Sequence, residues 1–330
     1  MRRFLLRTVQ GLLTVAVTVF LFRSLRISWS DLAVLDPARW VPRPLPLTVS
    51  TVLVLAVYLY LVGLWARLAQ HLGAGHLAFS TAVRVFFIAN LGKYIPGKVW
   101  QVAGLGYLAA REGLVPGRAL FAAGLNQAFS LCAGVTLASL YLAFGTTVPR
   151  GAWVVALGSV VLILGLVGNR RVHGSILNFL ARRGRVDPAW TMTSPPRFAL
   201  GWFALHLVAW LGYGVAFCLL WVSFRPLPGG TQVLMAMSAF PAAYILGYVA
   251  FFAPAGVGVR EGALVALTAP LLGPADATAL AVVARIWSTV LELLPLAWFV
   301  IAPWALRGRR VPGGGGRGEG EGGEGGGDRG

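Results

Sequence analysis

The sequence predicts an all-α integral membrane protein with about six transmembrane helices and two re-entrant helical hairpins in an inverted-repeat arrangement. Composition is the first reason: 57% of the 330 residues are hydrophobic and 12% charged, against about 25% charged in soluble domains. Second, residues 44–66, 119–149, 151–169, 198–224 and 226–259 carry no charge, and a bilayer crossing needs about 20 mostly apolar residues. A soluble interior able to bury so many such runs exceeds what a chain of this length supplies. Third, two apolar segments are each interrupted by proline and glycine, the pattern of discontinuous helices that line a site at membrane depth.

Taken in order, the first span is expected near 4–22, after Met1-Arg2-Arg3. Its charged start and apolar run resemble a signal peptide, but no A-x-A-like site follows, so it is read as retained. The second span is expected at 46–66. Segment 79–110 is broken at Pro96-Gly97 and is read as the first hairpin. Full spans follow at 119–143, 151–168 and 199–222. Segment 232–272, broken at the PAGVG run from Pro254 to Gly258, is the second hairpin. Half-helices of roughly 15 residues rise only about 22 Å, short of the ~30 Å core; ordinary spans kinked at proline are the alternative. The last span lies at 278–303, so residues 1–305 form one membrane domain. Residues 306–330 end in a Gly-rich stretch with nothing apolar to bury and are read as a disordered tail.

Charge sets the orientation. The net charge of +17 does not mark a nucleic-acid binder, because the arginines fall in short loops between spans rather than on a folded basic face. The excess of Lys and Arg on cytoplasmic loops explains them. Arg2, Arg3 and Arg7, the cluster Arg170, Arg171, Arg182, Arg183 and Arg185, and the closing Arg307, Arg309 and Arg310 place both termini in the cytoplasm. Three full spans separate the hairpins, so one enters from the cytoplasm and the other from outside.

The chemistry concentrates at the two breaks. The run NLGKYIPGKVWQ, from Asn90 to Gln101, holds Lys93 and Lys98, the only lysines among 28 basic residues. A helix restarting after Pro96-Gly97 aims free N–H groups and the positive end of its dipole at the break, a setting that attracts anions. The second break, PAGVGVREG, offers Pro254, Gly256 and Gly258 for close backbone approach, then Arg260 beside Glu261. Arg260 suits a phosphate through a bidentate contact and Lys98 as a point charge. Lys93, Lys98, Gln101 and Arg260 are the expected lipid-phosphate ligands. Glu261 needs a cation, from Arg260, Arg285 or a lysine of the first hairpin. Arg285 and Glu292 lie seven residues apart on one face of the last span, facing the hairpins, or else Arg285 snorkels to the interface. Trp100, Trp202, Trp287 and Trp298 are read as anchors or packing.

Other chemistries find no support. His71, His76, His173 and His206 are scattered, and Cys132 and Cys218 fall in different apolar runs, so no metal site is expected and the cysteines read as small buried residues. No cofactor motif and no P-loop are present. The acidic residues outside the tail are too few and too scattered for a metal-dependent transferase.

NLGKYIPGKVWQVAG followed by PAGVGVREGALV resembles the paired motifs of the flippase-like membrane region of the lysylphosphatidylglycerol synthase family. The likeness extends over about residues 4–305. It implies a multi-pass bacterial or archaeal cytoplasmic-membrane protein, a stand-alone relative without the soluble synthase domain and hence no enzyme by itself. Its expected ligand is an anionic or aminoacylated phospholipid or a polyprenyl phosphate, which it moves as a flippase. The alternatives are a non-transporting partner or anchor of an envelope-lipid enzyme and, more weakly, a membrane-embedded lipid transferase.

Overall fold

A computed structural model describes residues 40–95, 99–144, 196–227, 229–250 and 253–307, with scattered positions between 151 and 165. The expected span at 4–22, most of that at 151–168, the loop arginines 170–185, the tail, and Pro96, Gly97 and Lys98 lie outside the described residues.

Eight α-helices are described: α1 Pro44–His71, α2 Phe79–Asn90, α3 Val99–Arg111, α4 Pro116–Phe144, α5 Pro196–Phe224, α6 Thr231–Val249, α7 Val259–Leu272 and α8 Pro274–Arg307. No strand occurs among the described residues. Read by length, the order is long, short, short, long, twice over. Each long helix begins at a proline, where the ring's fixed φ suits the first turn and the missing N–H would have had no partner anyway. The four long helices outrun the expected spans at both ends, because helical backbone continues past the last apolar residue into the interface.

The two breaks are built alike. Ile95, before Pro96, is extended at φ −89°, ψ 132°, and Ala253, before Pro254, is extended at φ −96°, ψ 106°. A residue preceding proline is pushed out of the helical region by the ring. Short 3-10 turns occupy Leu91–Tyr94 and Pro254–Gly256, and these two turns pack against each other. The first break closes tightly enough that a Cβ on Gly92 would stand 2.7 Å from backbone atoms of Trp100 and Gln101. At the second, Gly256 has φ +71° and a Cβ there would come within 2.9 Å of the Gly247 backbone. Only glycine permits either approach without displacement.

Hydrogen bonds between elements fix helix directions. Arg43 N–H donates to Ser223 O at 2.8 Å, Ser50 Oγ to Ala216 O at 2.6 Å and Tyr60 Oη to Leu205 O at 3.1 Å. Numbers rise on α1 as they fall on α5, so the pair is antiparallel. By contrast α4 and α5 run parallel: Asn126 meets His206 at 3.0 Å, and Trp210 Nε1 donates to Ser130 O at 2.7 Å. Phe144 and Pro196 therefore lie at opposite ends of the bundle.

Six described helices are long and apolar enough to cross a membrane. They are not the six expected. Four coincide, and the other two, Thr231–Val249 and Pro254–Leu272, are the arms of the segment read as the second hairpin. With 19 residues, α6 rises about 28 Å, so length alone does not make it a half-helix. The arms of the first segment hold 12 and 13 residues and are short on any reading. Large apolar side chains point outward along the long helices, among them Val52 on α1, Val208 on α5 and Val290 on α8, as lipid-facing surfaces do.

Candidate functional site

A cavity of about 90 Å³ opens beside the first 3-10 turn, with Lys93 in its lining. It sits at the mid-length of the bundle. Tyr58 is near the midpoint of the 28-residue α1, Ser130 and Trp210 mark the midpoints of the 29-residue α4 and α5, and Glu292 lies just past that of the 34-residue α8; all four line it.

The first half contributes a cation that is already paired. Lys93 Nζ lies 2.5 Å from Glu292 Oε2, with the two side chains 13% and 11% exposed. The same carboxylate accepts from Tyr94 Oη at 3.2 Å and Tyr58 Oη at 3.5 Å. Sharing donors in this way is how a carboxylate is retained away from bulk water. Gln101, in the first turn of α3, donates through Nε2 to Asn90 Oδ1 at 3.0 Å, tying the two arms across the break.

The second half contributes a cation without a carboxylate. Arg260, 8% exposed, lies in the first turn of α7 with its guanidinium carbon 4.6 Å from the Phe240 ring and 5.2 Å from that of Tyr244. Stacking on aromatic faces orients a guanidinium while leaving its edge donors to meet an anion. No carboxylate comes within 4 Å of it among the described residues. Glu261, its neighbour, accepts from Gly258 N–H at 2.6 Å, which caps α7, and stands 3.3 Å from Arg285 Nη1. Arg285 is buried, reaches Ala255 O at 3.4 Å, and leaves Nε and Nη2 without hydrogen-bond partners among the described residues. A smaller cavity of about 20 Å³ continues toward it past Lys93, Gln101, Tyr244 and Arg260. Among the described residues, three cations, Lys93, Arg260 and Arg285, thus face two carboxylates, Glu261 and Glu292. One positive charge is left over.

Several sequence expectations take definite form here. Arg285 turns inward rather than snorkelling, and among the described candidate cations for Glu261 it is the one in contact. Lys93, read as a phosphate ligand, is held by Glu292. Lys98, expected to meet Arg260 across a phosphate, lies outside the described residues. Trp287, read as an anchor or packing residue, lines the cavity and donates from Nε1 to Thr51 Oγ1 at 3.2 Å. Sequence reasoning missed Tyr58, Asn126, Tyr213 and Tyr244, which line the cavity, and Tyr94. The tyrosines gave a signal: those of apolar spans cluster at the interfaces, whereas Tyr58 and Tyr213 stand mid-run.

No group of three or more His, Cys, Asp or Glu able to hold a metal is found among the described residues. Cys132 and Cys218 are free and buried. His206 contacts Trp202 O at 2.8 Å through Nδ1 and Asn126 through Nε2, which is structural satisfaction of a buried ring.

No curated protein matches the chain. Its sequence does match the family described as Lysylphosphatidylglycerol synthase TM region, over residues 8–295. That match takes in both breaks, both ion pairs and the cavity between them, and the chain belongs to that family.

Proposed function

We propose that this protein is a lipid flippase of the cytoplasmic membrane, carrying an anionic headgroup through the central cavity while the acyl or prenyl tails stay in the bilayer. The observation that carries the reading is Arg260, a buried guanidinium that faces a mid-bundle cavity, stacks on aromatic rings and has no carboxylate within 4 Å among the described residues. A headgroup phosphate supplies the missing anion, and charge-assisted bonds offset part of its dehydration.

The geometry favours re-entrant hairpins. Lys93 and Tyr94, at the first break, meet Tyr58 and Glu292 at the mid-length of long helices, not at their ends. A pair of full spans would place that break at the far surface. The parallel course of α4 and α5 calls for a return leg between them, as the expected span at 151–168 provides, and an odd number of crossings inverts the second half relative to the first.

The test is translocation of a labelled anionic lipid in vesicles reconstituted with the purified full chain. Arg260→Gln, which removes the charge and keeps most of the length, is expected to lower binding and transport roughly ten- to hundredfold, the value of a charge-assisted bond, with unchanged thermal stability. Wild-type transport by a well-folded Arg260→Gln protein would mean that Arg260 is structural. A lipid of altered mass after incubation would instead identify a transferase.

A further inference from the structure

The Lys93–Glu292 pair poses a problem that the transport reading does not solve. The first break's cation is already occupied by a carboxylate at 2.5 Å, supported by two tyrosine hydroxyls, so a phosphate approaching Arg260 meets a second anion at the neighbouring position. Two anions sharing one poorly hydrated site repel each other strongly. Displacing Glu292 as a bare carboxylate leaves a buried charge without a partner. Protonating it removes both obstacles.

We infer that Glu292 is a proton-coupling residue: the lipid phosphate takes the place of its carboxylate at Lys93 only when a proton from water has neutralised Glu292, so that headgroup and proton cross together. This deepens the transport reading and rests on it. The charges balance without remainder for a phosphodiester, which carries one negative charge. The cavity gains one negative charge from the headgroup and one positive from the proton, so the described charged groups go from +1 to +2 and the total with the headgroup included stays at +1. Movement of such a lipid is then electroneutral, driven by a pH difference and indifferent to membrane potential. Intramembrane carboxylates that pair with other ionisable groups are a recurrent form of proton relay.

Other groups that face Glu292 do not substitute for it. From α1 it meets Tyr58, from the first 3-10 turn Lys93 and Tyr94; Tyr213 of α5, Tyr244 of α6 and Arg260 of α7 line the same cavity, and Arg285 lies two turns away on α8. The aspect contributed by α4 is uncharged, through Asn126 and Gln127. The second carboxylate, Glu261, is engaged by the Gly258 N–H and by Arg285, which leaves Glu292 as the carboxylate beside the anion's path.

The experiment uses the full chain in phosphatidylcholine vesicles containing labelled phosphatidylglycerol. Net movement of label is expected to follow an imposed pH gradient and to be unaffected by a potassium diffusion potential; response to the potential and not to pH would overturn the coupling. In detergent, binding of short-chain phosphatidylglycerol should be accompanied by proton uptake. Above its midpoint, affinity should fall about tenfold per pH unit, as one linked proton requires. Glu292→Gln, which mimics the protonated state, should take up no proton on binding, vary less than about twofold over the same pH range, and equilibrate label irrespective of the gradient. Should that variant fold poorly, Tyr94→Phe keeps every charge and removes one donor from the carboxylate. Its midpoint should move to higher pH, and an unmoved midpoint would count against the assignment. Phosphatidylglycerol that binds and moves with a flat pH profile sinks the coupling alone, whereas phosphatidylglycerol that neither binds nor moves at any pH removes the transport reading and the coupling with it.

Discussion

The two halves of the bundle, α1–α4 and α5–α8, repeat the same order of helices yet handle their buried charge in opposite ways. The first half places Lys93 at its break and has no acid of its own there; the balancing carboxylate, Glu292, arrives from the last helix of the second half. The second half settles Glu261 internally against Arg285 and the α7 N-terminus, and stacks Arg260 on aromatic rings with no carboxylate within 4 Å among the described residues. Local satisfaction in one half leaves Arg260 free for the headgroup in the proposed transport. Cross-half satisfaction in the other makes the site depend on both halves being docked.

The comparison breaks most sharply at the shared pair. Glu292→Ala should destabilise the detergent-solubilised protein by up to about 3–5 kcal/mol, since it strands Lys93. The double variant Lys93→Met, Glu292→Ala should recover most of the loss, and thermal unfolding of these variants and of Lys93→Met alone gives the coupling directly. Additive losses would show that the two halves do not meet through this pair. The next largest effect is expected at the second break, where Gly256→Ala introduces a Cβ 2.9 Å from the Gly247 backbone at φ +71°; strain of this kind costs about 1–3 kcal/mol. An unchanged melting temperature would place Gly247 farther from Gly256 than described.

A smaller loss tests internal satisfaction in the second half. Glu261→Gln keeps an acceptor for Gly258 N–H and an amide oxygen opposite Arg285, so only the charge across a 3.3 Å contact is lost and about 1 kcal/mol is expected. A loss as large as that at Glu292 would put the two pairs on an equal footing and erase the contrast. The smallest effect runs the other way. A Cβ added to Gly124 on α4 would meet nothing within 4 Å, so Gly124→Ala should stabilise by about 0.5–1 kcal/mol through helix propensity, a useful control that the stability assay reports sign correctly.

Much of the frame is legible in the sequence because apolar run length and proline placement are local signals. Three of the four long helices fall where charge-free runs predict and the fourth, α8, on an apolar run that carries Arg285 and Glu292; Pro44, Pro116, Pro196 and Pro274 mark their starts. The breaks are legible for the same reason, through Pro96 and Pro254. What the sequence does not reveal is pairing across distance. Nothing near Lys93 indicates that Glu292 rather than Glu261 will be its partner, since that depends on how α8 docks against the first 3-10 turn. Tyr58 carries a signal in its mid-run position, whereas Tyr244 reads as packing until a cavity is seen beside it. The hairpin argument from length applies to the short arms of the first segment and loses its force at α6, whose 19 residues reach nearly as far as a bilayer core.

Tyr94 and Glu292 are 198 positions apart in the chain, and that separation has a consequence for biogenesis. Lys93 leaves the ribosome well before the acid that will neutralise it, at elongation rates of about 5–20 residues per second an interval of roughly 10–40 s. Through that interval the first half holds an ammonium group with no partner from α8, so its short helices have reason to stay near the aqueous surface or the insertion machinery until the final helix enters. Docking of α8 is then the step that draws the first break into the bundle. A nascent chain stopped before α8 should leave Lys93 open to water-soluble amine reagents, and the finished protein should shield it.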